Sequence, residues 1–167
     1  TGRNKNRFDE IDFKNPSKTD FFTCDLSIKE QLSSCLEKII QKHPLIEILI
    51  NNAGVTEDSL FLRMDLQKWQ NGIDINLNTT FQITNFFLKQ MVKNRWGRVI
   101  NITSVVGHTG NIGQANYCAS KMGIIGMSKS LALEVAKSGI TINCISPGFI
   151  DTKMTQGLDE NTKKLIL

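Results

Sequence analysis

Short apolar segments alternate with longer amphipathic segments along the chain, and this alternation restricts its possible folds more than any other feature. Four apolar segments predict buried strands: residues 19–24, 46–51, 98–103 and 140–145. Three segments with apolar residues at helical spacing predict helices: residues 27–43, 65–93 and 114–137. Strands separated by helices are typical of β-α-β units. We therefore predict an α/β fold with a doubly wound parallel sheet in a single domain.

Local signals refine the predicted helices. Ser27 and Glu30 have the S-x-x-E spacing of a capping box at the start of the first helix. Gly72 and Asn76 interrupt the apolar periodicity of residues 65–93, so a kink is expected there. Gly139 is the kind of residue that ends a helix.

Composition excludes several classes of protein. Of the 167 residues, 40% are hydrophobic and 22% are charged, which is ordinary globular usage. The net charge of +4 is spread over interleaved basic and acidic residues, so it does not favour a nucleic-acid partner. No apolar run reaches the roughly 18 residues of a membrane span, and the polar start predicts no signal peptide. The four cysteines match no metal-site spacing and are expected to be reduced thiols of an intracellular protein.

One part of a doubly wound nucleotide-binding sheet is missing from the sequence. Such a sheet has a first strand that leads through a glycine-rich turn into the first helix, but no G-x-G pattern follows Thr1 and Gly2. A parallel sheet without that strand would leave backbone N–H and C=O groups unpaired in the core. We therefore expect a single domain that is incomplete at both ends and belongs to a longer native chain.

Tyr117 and Lys121 lie four residues apart in a predicted helix and therefore share one face. A phenol, with a pKa of about 10, is a poor acid–base catalyst at neutral pH, and a neighbouring ammonium lowers that pKa. The pair is a candidate for exchanging a proton with an alcohol oxygen. The same spacing, taken alone, also describes a half-buried tyrosine beside an exposed lysine.

Two further polar residues are candidates for the same chemistry. Ser104 closes the predicted strand 98–103, at the end of the sheet where α/β proteins bind ligands. Its hydroxyl could hold a substrate oxygen, or it could cap a turn. Asn76 lies within an otherwise apolar helix and needs a polar partner. It could open the helix and position a water near Lys121, or it could bond the neighbouring backbone.

Small residues follow two other predicted strands. Asn52, Ala53 and Gly54 would let a flat cofactor approach the backbone, although they also suit a simple turn. Pro147 and Gly148 follow the last predicted strand, and Thr152 comes four residues after Gly148. A hydroxyl beside exposed backbone N–H groups predicts a phosphate site.

The order and spacing of these motifs resemble the short-chain dehydrogenase/reductase family over residues 3–167. The resemblance is carried by Asn51-Asn52-Ala53-Gly54, Asn76, Ser104, Tyr117-x-x-x-Lys121 and Pro147-Gly148. It implies a Rossmann-type fold and an oxidoreductase that uses a nicotinamide cofactor and no metal. Within that family, residues 51–64, 104–121 and 146–155 look like the 3-oxoacyl-[acyl-carrier-protein] reductases of type II fatty acid synthesis. The family's glycine-rich TGxxxGxG pattern is absent.

The resemblance implies a role for each matching residue. Tyr117 would protonate the substrate carbonyl oxygen, Lys121 would lower the tyrosine pKa and bind the nicotinamide ribose, and Ser104 would orient the carbonyl. Asn76 would complete the set through a water molecule. The other cofactor contacts would come from Asp25 and Leu26 at the adenine, Asn52, Ala53 and Gly54 along the adenosine, Ile150 at the carboxamide and Thr152 at the phosphates.

Arg3 bears on the choice of cofactor. It matches the family position just after the second strand, where an acidic residue would bind the ribose hydroxyls of NAD. A cation there suits the additional 2′-phosphate of NADP, so NADPH is expected. Arg3 could also be an ordinary exposed loop residue.

The family likeness also implies partners and a location. The acidic acyl carrier protein would need basic residues to dock on. Arg95 matches one basic position that the family uses, and the second such position falls at Ser138, with Lys137 beside it. The apolar surface of helices 65–93 and 114–137 predicts a homotetramer. The bacterial cytoplasm or an organelle matrix or stroma is the expected location. Two alternatives stay open: a family reductase of small ketones or alcohols, and a non-catalytic binding or assembly subunit.

Overall fold

The computed structural model of the protein describes residues 1–12 and 18–150. Within these residues the helices are α1 Lys5–Asp9, α2 Lys29–Lys42, α3 Leu66–Ile73, α4 Thr79–Asn94, α5 Val106–Thr109 and α6 Ala115–Val135. The strands are β1 Ile48–Asn51, β2 Gly97–Ile102 and β3 Ile140–Ile145. A π-helix, Asp74–Asn78, joins α3 to α4, and short 3-10 helices cover Phe61–Arg63 and Ala136–Ser138.

The three described strands form one parallel sheet in the order β1-β2-β3. Ile48 is paired with Arg98 and Asn51 with Asn101, while Gly97 is paired with Ile140. The chain passes from β1 to β2 through α3 and α4, and from β2 to β3 through α5 and α6. The predicted α/β architecture with a parallel sheet is thereby confirmed.

The hydrophobic core lies where α2, α4 and the end of α6 meet β2 and β3. Met91 and Val99 are fully buried there. The remaining buried members are Cys24, Leu32, Cys35, Leu36, Phe87, Val135, Ile140 and Ile142. Gly97 allows α4 to pack closely on the start of β2, because a Cβ atom at Gly97 would lie 2.6 Å from Met91 Sδ.

The predicted strand over residues 19–24 is wrong, since among the described residues it is reduced to one parallel bridge between Thr23 and Gly2. Gly2 N–H donates to Phe22 O at 3.3 Å, and Cys24 N–H donates to Gly2 O at 3.0 Å. The pairing stops there because the partner segment turns directly into α1, whose start is held by a hydrogen bond from Asn6 N–H to Asn4 Oδ1.

The capping box is also wrong, whereas the long helix is interrupted where the sequence predicts a kink. Ser27 donates both its N–H, at 3.0 Å, and its hydroxyl, at 2.7 Å, to Asp25 Oδ1, so it closes a turn ahead of the helix. The N-cap of α2 is Ile28, without a side-chain cap. The long helix predicted for residues 65–93 is interrupted by the π-helix, which contains Asn76.

Candidate active site

The carboxyl ends of β2 and β3 are joined by backbone hydrogen bonds beyond the sheet. Thr103 N–H donates to Ile145 O at 2.8 Å, and Val105 N–H donates to Pro147 O at 3.1 Å. Ser104 therefore leaves β2 beside the loop that leaves β3. This edge is where the sequence predicts ligand binding, because side chains from several parallel strands can converge there.

The first turn of α6 brings Tyr117 to the same edge. Its phenol lies within hydrogen-bonding reach of the Ser104 hydroxyl, which acts to lower the pKa of Tyr117. One turn further along α6, Lys121 Nζ lies 5.5 Å from the centre of the Tyr117 ring. The structure thus places together the serine, tyrosine and lysine that the sequence singled out from separate segments.

Burial governs the protonation of this pair. It is the largest cause of a raised pKa at Tyr117, opposed by the hydrogen bond with Ser104 and reinforced by Cys118 and Asp58. Burial also lowers the pKa of the Lys121 amine. The Lys121 ammonium is not among these causes, so its expected lowering of the tyrosine pKa stays a prediction. Tyr117 keeps its proton at neutral pH, which is the form that a proton donor requires.

Lys121 is 3% exposed and extends along the end of β2. Its Nζ donates to the Ile102 carbonyl oxygen at 2.9 Å. A Cβ atom at Gly54 would lie 3.5 Å from that Nζ, so the lysine also reaches the loop after β1. A buried amine between two strand ends has hydrogen atoms free to meet hydroxyl groups of a bound ligand, since an ammonium has three donors.

Asn76 is completely buried and holds the loop after β1 in place. Its Oδ1 accepts from Val55 N–H at 2.9 Å, and its Nδ2 donates to Val55 O at 3.0 Å and to Ser120 Oγ at 3.1 Å. Its own carbonyl oxygen accepts from the Thr80 hydroxyl at 2.7 Å. The regular helix opens at this residue, as the sequence predicts, but the amide bonds the distant backbone of Val55 and not the neighbouring helix backbone.

Three of the residues assigned to the adenosine side border one cavity. Leu26, Asn52 and Ala53 line this cavity of about 390 Å³, together with apolar side chains of α2, β1 and α4. A concave, mostly apolar site of this size suits a flat base with a few polar groups around it. These residues therefore fit the adenosine half of a dinucleotide.

Arg3 and Asp25 lie near this cavity at the surface. Arg3 Nη1 is 4.0 Å from Asp25 Oδ2, and the Arg3 side chain is 73% exposed. Hydrogen bonds from the Ser27 backbone and hydroxyl lower the pKa of Asp25, with Arg3 contributing less. The guanidinium is thus close to the predicted adenine contact and still open to a ligand.

Glycines keep two strand ends open. A Cβ atom at Gly54 would lie 3.3 Å from Asn76 Oδ1, so a larger residue would crowd the asparagine and lysine. A Cβ atom at Gly148 would meet nothing within 4 Å, and Ile150 is 56% exposed. Thr152, the predicted phosphate contact, lies outside the described residues.

Three buried polar residues at this site were missed by the sequence analysis. Asn116 and Ser120 flank Tyr117 on α6, and Asn101 lies one residue before Ile102 on β2, each with 0% exposure. Asn101 accepts from Asn51 Nδ2 at 2.8 Å and donates to Ser128 Oγ at 2.8 Å. A polar residue in an apolar pattern is the signal that could have identified them.

The basic positions predicted for carrier docking lie together, away from Tyr117. Arg95 ends α4 in a left-handed conformation with φ 54°, and its Nη2 donates to Lys137 O at 2.9 Å. Both residues precede the starts of β2 and β3, so they mark the amino edge of the sheet. No helix among the described residues is long and apolar enough to cross a membrane.

Similarity to known proteins agrees with this arrangement. Residues 2–163 match the family model of the short chain dehydrogenases. The chain is 42% identical over 159 residues to 3-oxoacyl-[acyl-carrier-protein] reductase of Chlamydia muridarum, covering 95% of this chain and 64% of that protein. It is 49% identical over 144 residues to the reductase of that name from Rickettsia felis, covering 86% and 58%. It is 46% identical over 146 residues to nodulation protein G of a Rhizobium species, covering 87% and 60%. The chain spans about three fifths of the length of these curated relatives.

Proposed function

The chain belongs to the short chain dehydrogenase family, and we propose that the protein reduces 3-oxoacyl-[acyl-carrier-protein] to the 3-hydroxyacyl form with NADPH, a step of fatty acid synthesis. The observation that carries this proposal is the meeting of the Ser104 hydroxyl with the Tyr117 phenol, with the Lys121 amine beside the phenol ring. The two reductases described above support the substrate class.

The chain's residues supply proton transfer and orientation in the proposed reaction. The bound nicotinamide supplies the hydride that the carbonyl carbon accepts. Ser104 Oγ hydrogen-bonds the carbonyl oxygen, and Tyr117 donates its proton to that oxygen as the alcohol forms. The phenol enters this reaction protonated, because burial holds the pKa of Tyr117 above its ordinary value.

Lys121 and Asn76 hold the reacting groups in place. Lys121 Nζ, directed between the ends of β1 and β2, would bind the ribose hydroxyls and bring positive charge close to the phenolate that forms on Tyr117. Asn76 fixes the loop at Val55 and, through Ser120, the helix that carries Tyr117. A water relay from Asn76 to Lys121 belongs to this proposal.

The adenosine half of the cofactor would occupy the cavity at Leu26, Asn52 and Ala53. Asp25 and Gly54 would complete this side, while Pro147, Gly148, Ile150 and Thr152 would bind the nicotinamide and phosphate side. Arg3, exposed beside Asp25, would pair with the 2′-phosphate of NADPH.

Carrier docking is proposed at Arg95 and Lys137. The Arg95 side chain donates a hydrogen bond to the Lys137 carbonyl oxygen, which keeps the two residues together. These residues lie a strand's length, about 20 Å, from the carboxyl edge of the sheet. Replacing Arg95 with glutamate should raise KM for a carrier-linked substrate and leave KM for a simple ketone unchanged. An equal change for both substrates would remove Arg95 from the docking site.

A homotetramer in a reducing compartment completes the proposal. Large apolar side chains on α4 and α6 are exposed, among them Phe81 at 53% and Leu133 at 83%, which supports burial by other copies of the chain. The four free cysteines support the bacterial cytoplasm or an organelle matrix or stroma. Light scattering that gives a monomer mass for the full-length protein would contradict the tetramer.

The experiment follows NADPH oxidation by the full-length protein with acetoacetyl-[acyl-carrier-protein] and with a simple ketone, beside the Tyr117→Phe variant. We expect the parent protein to turn over the carrier substrate rapidly. The Tyr117→Phe variant should not turn it over, although its circular dichroism should show that it is folded. Turnover of the simple ketone alone would replace the fatty-acid role with that of a small-ketone reductase. No turnover of either by a folded protein would favour a non-catalytic subunit.

A further inference from the structure

Asn116, the residue before Tyr117, is joined to two separate parts of the molecule and to the backbone of its own helix. It has 0% exposure. Its Nδ2 donates at 3.1 Å to the Glu57 carbonyl, in the loop after β1, and at 3.1 Å to the Lys68 carbonyl in α3. Its Oδ1 accepts from Tyr117 N–H at 2.8 Å. The side chain therefore anchors the start of α6 on the loop and on α3.

The bond to Tyr117 N–H fills a gap that every helix start has. The first N–H groups of an α-helix have no carbonyl four residues earlier within the helix. The N-cap of α6, Gln114, provides no side-chain cap. Tyr117 N–H is one of these groups, and Asn116 Oδ1 satisfies it from inside the first turn.

The carbonyl of Tyr117 is held as well. Ser120 Oγ donates to Tyr117 O at 2.7 Å and accepts from Asn76 Nδ2 at 3.1 Å. Both backbone polar groups of Tyr117 are thus bound by side chains that are themselves fixed by buried contacts. The backbone from which the phenol projects has little freedom to shift relative to Ser104.

The helix that packs on Asn116 is shaped to admit it. A Cβ atom at Gly72 of α3 would lie 3.1 Å from Asn116 Nδ2 and 3.3 Å from its Cβ and Cγ. Such a contact is tighter than ordinary van der Waals packing, so any larger residue at Gly72 would push Asn116 away. The sequence suggested Gly72 as a helix-kink residue. In the structure, its lack of a side chain leaves room for the side chain of Asn116.

We propose that Asn116 is a positioning residue, which sets the first turn of α6 so that the Tyr117 phenol meets the Ser104 hydroxyl. The inference rests on the proposed role of Tyr117 in the reaction. Neither the sequence motif nor the names of the relatives assigns a role to Asn116. Substitution of Asn116 should therefore weaken the contact between the Tyr117 phenol and the Ser104 hydroxyl, because the anchored backbone holds the phenol in place.

The titration of Tyr117 gives a readout that needs no turnover. Tyr117 is the single tyrosine among the 167 residues, so the tyrosinate absorbance difference between a protein and its Tyr117→Phe counterpart isolates it. The groups that act on this phenol are the Ser104 hydroxyl, the thiol of Cys118, the carboxylate of Asp58 and, 5.5 Å from its ring, the Lys121 amine. Of these four groups, only Ser104 is substituted in the experiment below, so the other three are the same in every variant.

The experiment is a double-mutant cycle of Ser104→Ala with Asn116→Ala, read by the pKa of Tyr117. With Asn116 present, Ser104→Ala should raise the tyrosine pKa, because the hydrogen bond that lowers it is lost. With Asn116→Ala, the same serine substitution should have little effect, since the contact is already broken. A serine effect of equal size in both backgrounds would overturn the proposal.

Two further variants keep the test decisive. Gly72→Ala should weaken the serine effect by displacing Asn116 without removing a polar group, and it serves if Asn116→Ala fails to fold. Ser128→Ala removes a buried hydroxyl elsewhere on α6, bonded to Asn101 and the Ile124 carbonyl, and should leave the serine effect intact. Loss of the effect in Ser128→Ala as well would show general loosening of α6 and would overturn a specific role for Asn116.

Kinetics provide the second readout. If the proposed reaction holds, Asn116→Ala should lower kcat by about 10- to 100-fold, the cost of a displacement of roughly 1 Å, with KM for NADPH unchanged. An unchanged kcat would count against the proposal. The tyrosine titration can be measured even if the protein lacks the proposed activity. Failure of the proposed function is therefore distinguishable from failure of the proposed role of Asn116.

Discussion

The reaction side and the adenosine side of the molecule hold their candidate residues by different means. On the reaction side, Asn76 and Lys121 are buried, and they bond backbone atoms of the loop after β1 and of the end of β2, respectively. On the adenosine side, one bridge joins Gly2 to Thr23, and Arg3 is an exposed cation 4.0 Å from Asp25. The first arrangement fixes geometry before a ligand arrives, whereas the second mainly presents charge and apolar surface to it.

This difference separates two kinds of contribution to function. A buried polar group that is fully hydrogen-bonded resists displacement, because any shift leaves partners unsatisfied. An exposed ion pair contributes little to stability and is readily exchanged for a ligand. Substitutions on the reaction side should therefore change both stability and rate, and those on the adenosine side should change cofactor selection alone.

Lys121→Met should have the largest effect of the substitutions below. Loss of the amine beside Tyr117 and at the proposed ribose site should reduce kcat/KM by about 10²- to 10⁴-fold, the range for a lost acid–base contribution. Steady-state kinetics with NADPH measure this change. Lys129→Met, at an exposed lysine of the same helix, is the matched control and should behave like the parent protein. Similar activity in both variants would remove Lys121 from the site.

Asn76→Ala should be the most destabilising change on the reaction side. It leaves the Val55 backbone groups and Ser120 without their partner, so we expect a loss of about 2–3 kcal/mol in the free energy of unfolding, measured with denaturant. Asn78→Ala, at an exposed position of the same π-helix, should change it by less than about 0.5 kcal/mol. Equal losses would show that burial at Asn76 does not set stability.

Arg3→Asp should affect cofactor choice without affecting the fold. A lost charge-assisted contact to the 2′-phosphate is worth about 10- to 100-fold in the ratio of kcat/KM for NADPH to that for NADH. Lys5→Asp, another exposed cation two residues further on, should leave this ratio near the parent value. An unchanged preference for NADPH in Arg3→Asp would contradict the assignment.

The smallest effect expected is the pH dependence of stability from Lys121. Burial lowers the pKa of this amine, so between the folded and unfolded values, the latter about 10.4, the unfolded chain binds more protons. Stability from this group therefore rises as pH rises through that window. The Tm of the parent protein, relative to that of Lys121→Met, should rise between about pH 7 and about pH 10. A constant difference would mean that the amine is not desolvated.

The sequence was most informative where a pattern is local. The spacing of Tyr117 and Lys121 and the position of Ser104 at a strand end depend on helix and strand geometry alone, and the structure brings the three together. The interruption of the helix at Asn76 was foreseeable for the same reason, since an amide in an apolar helix needs a polar partner. That the partner is Val55, 21 residues earlier, follows only from the packing.

Predictions failed where the outcome depends on what a segment meets in space. Residues 19–24 have the composition of a strand, but the segment beside them pairs only at Gly2 before it turns into α1. Ser27 has the spacing of a capping residue, yet Asp25 competes for its hydroxyl. Burial is the largest cause of the raised tyrosine pKa, and it depends on the whole surrounding fold, so the spacing of Tyr117 and Lys121 could not reveal it.

The central claim is that Tyr117 gives the proton while hydride passes from NADPH to the ketone carbon of a carrier-linked chain. The most direct test is a single turnover of the full-length protein with NADPH deuterated at the transferable position and acetoacetyl-[acyl-carrier-protein], analysed by mass spectrometry. We predict one deuterium on the new carbinol carbon with the parent protein and only background product with Tyr117→Phe. Product without deuterium, or labelled product from the variant at the parent rate, would contradict the account.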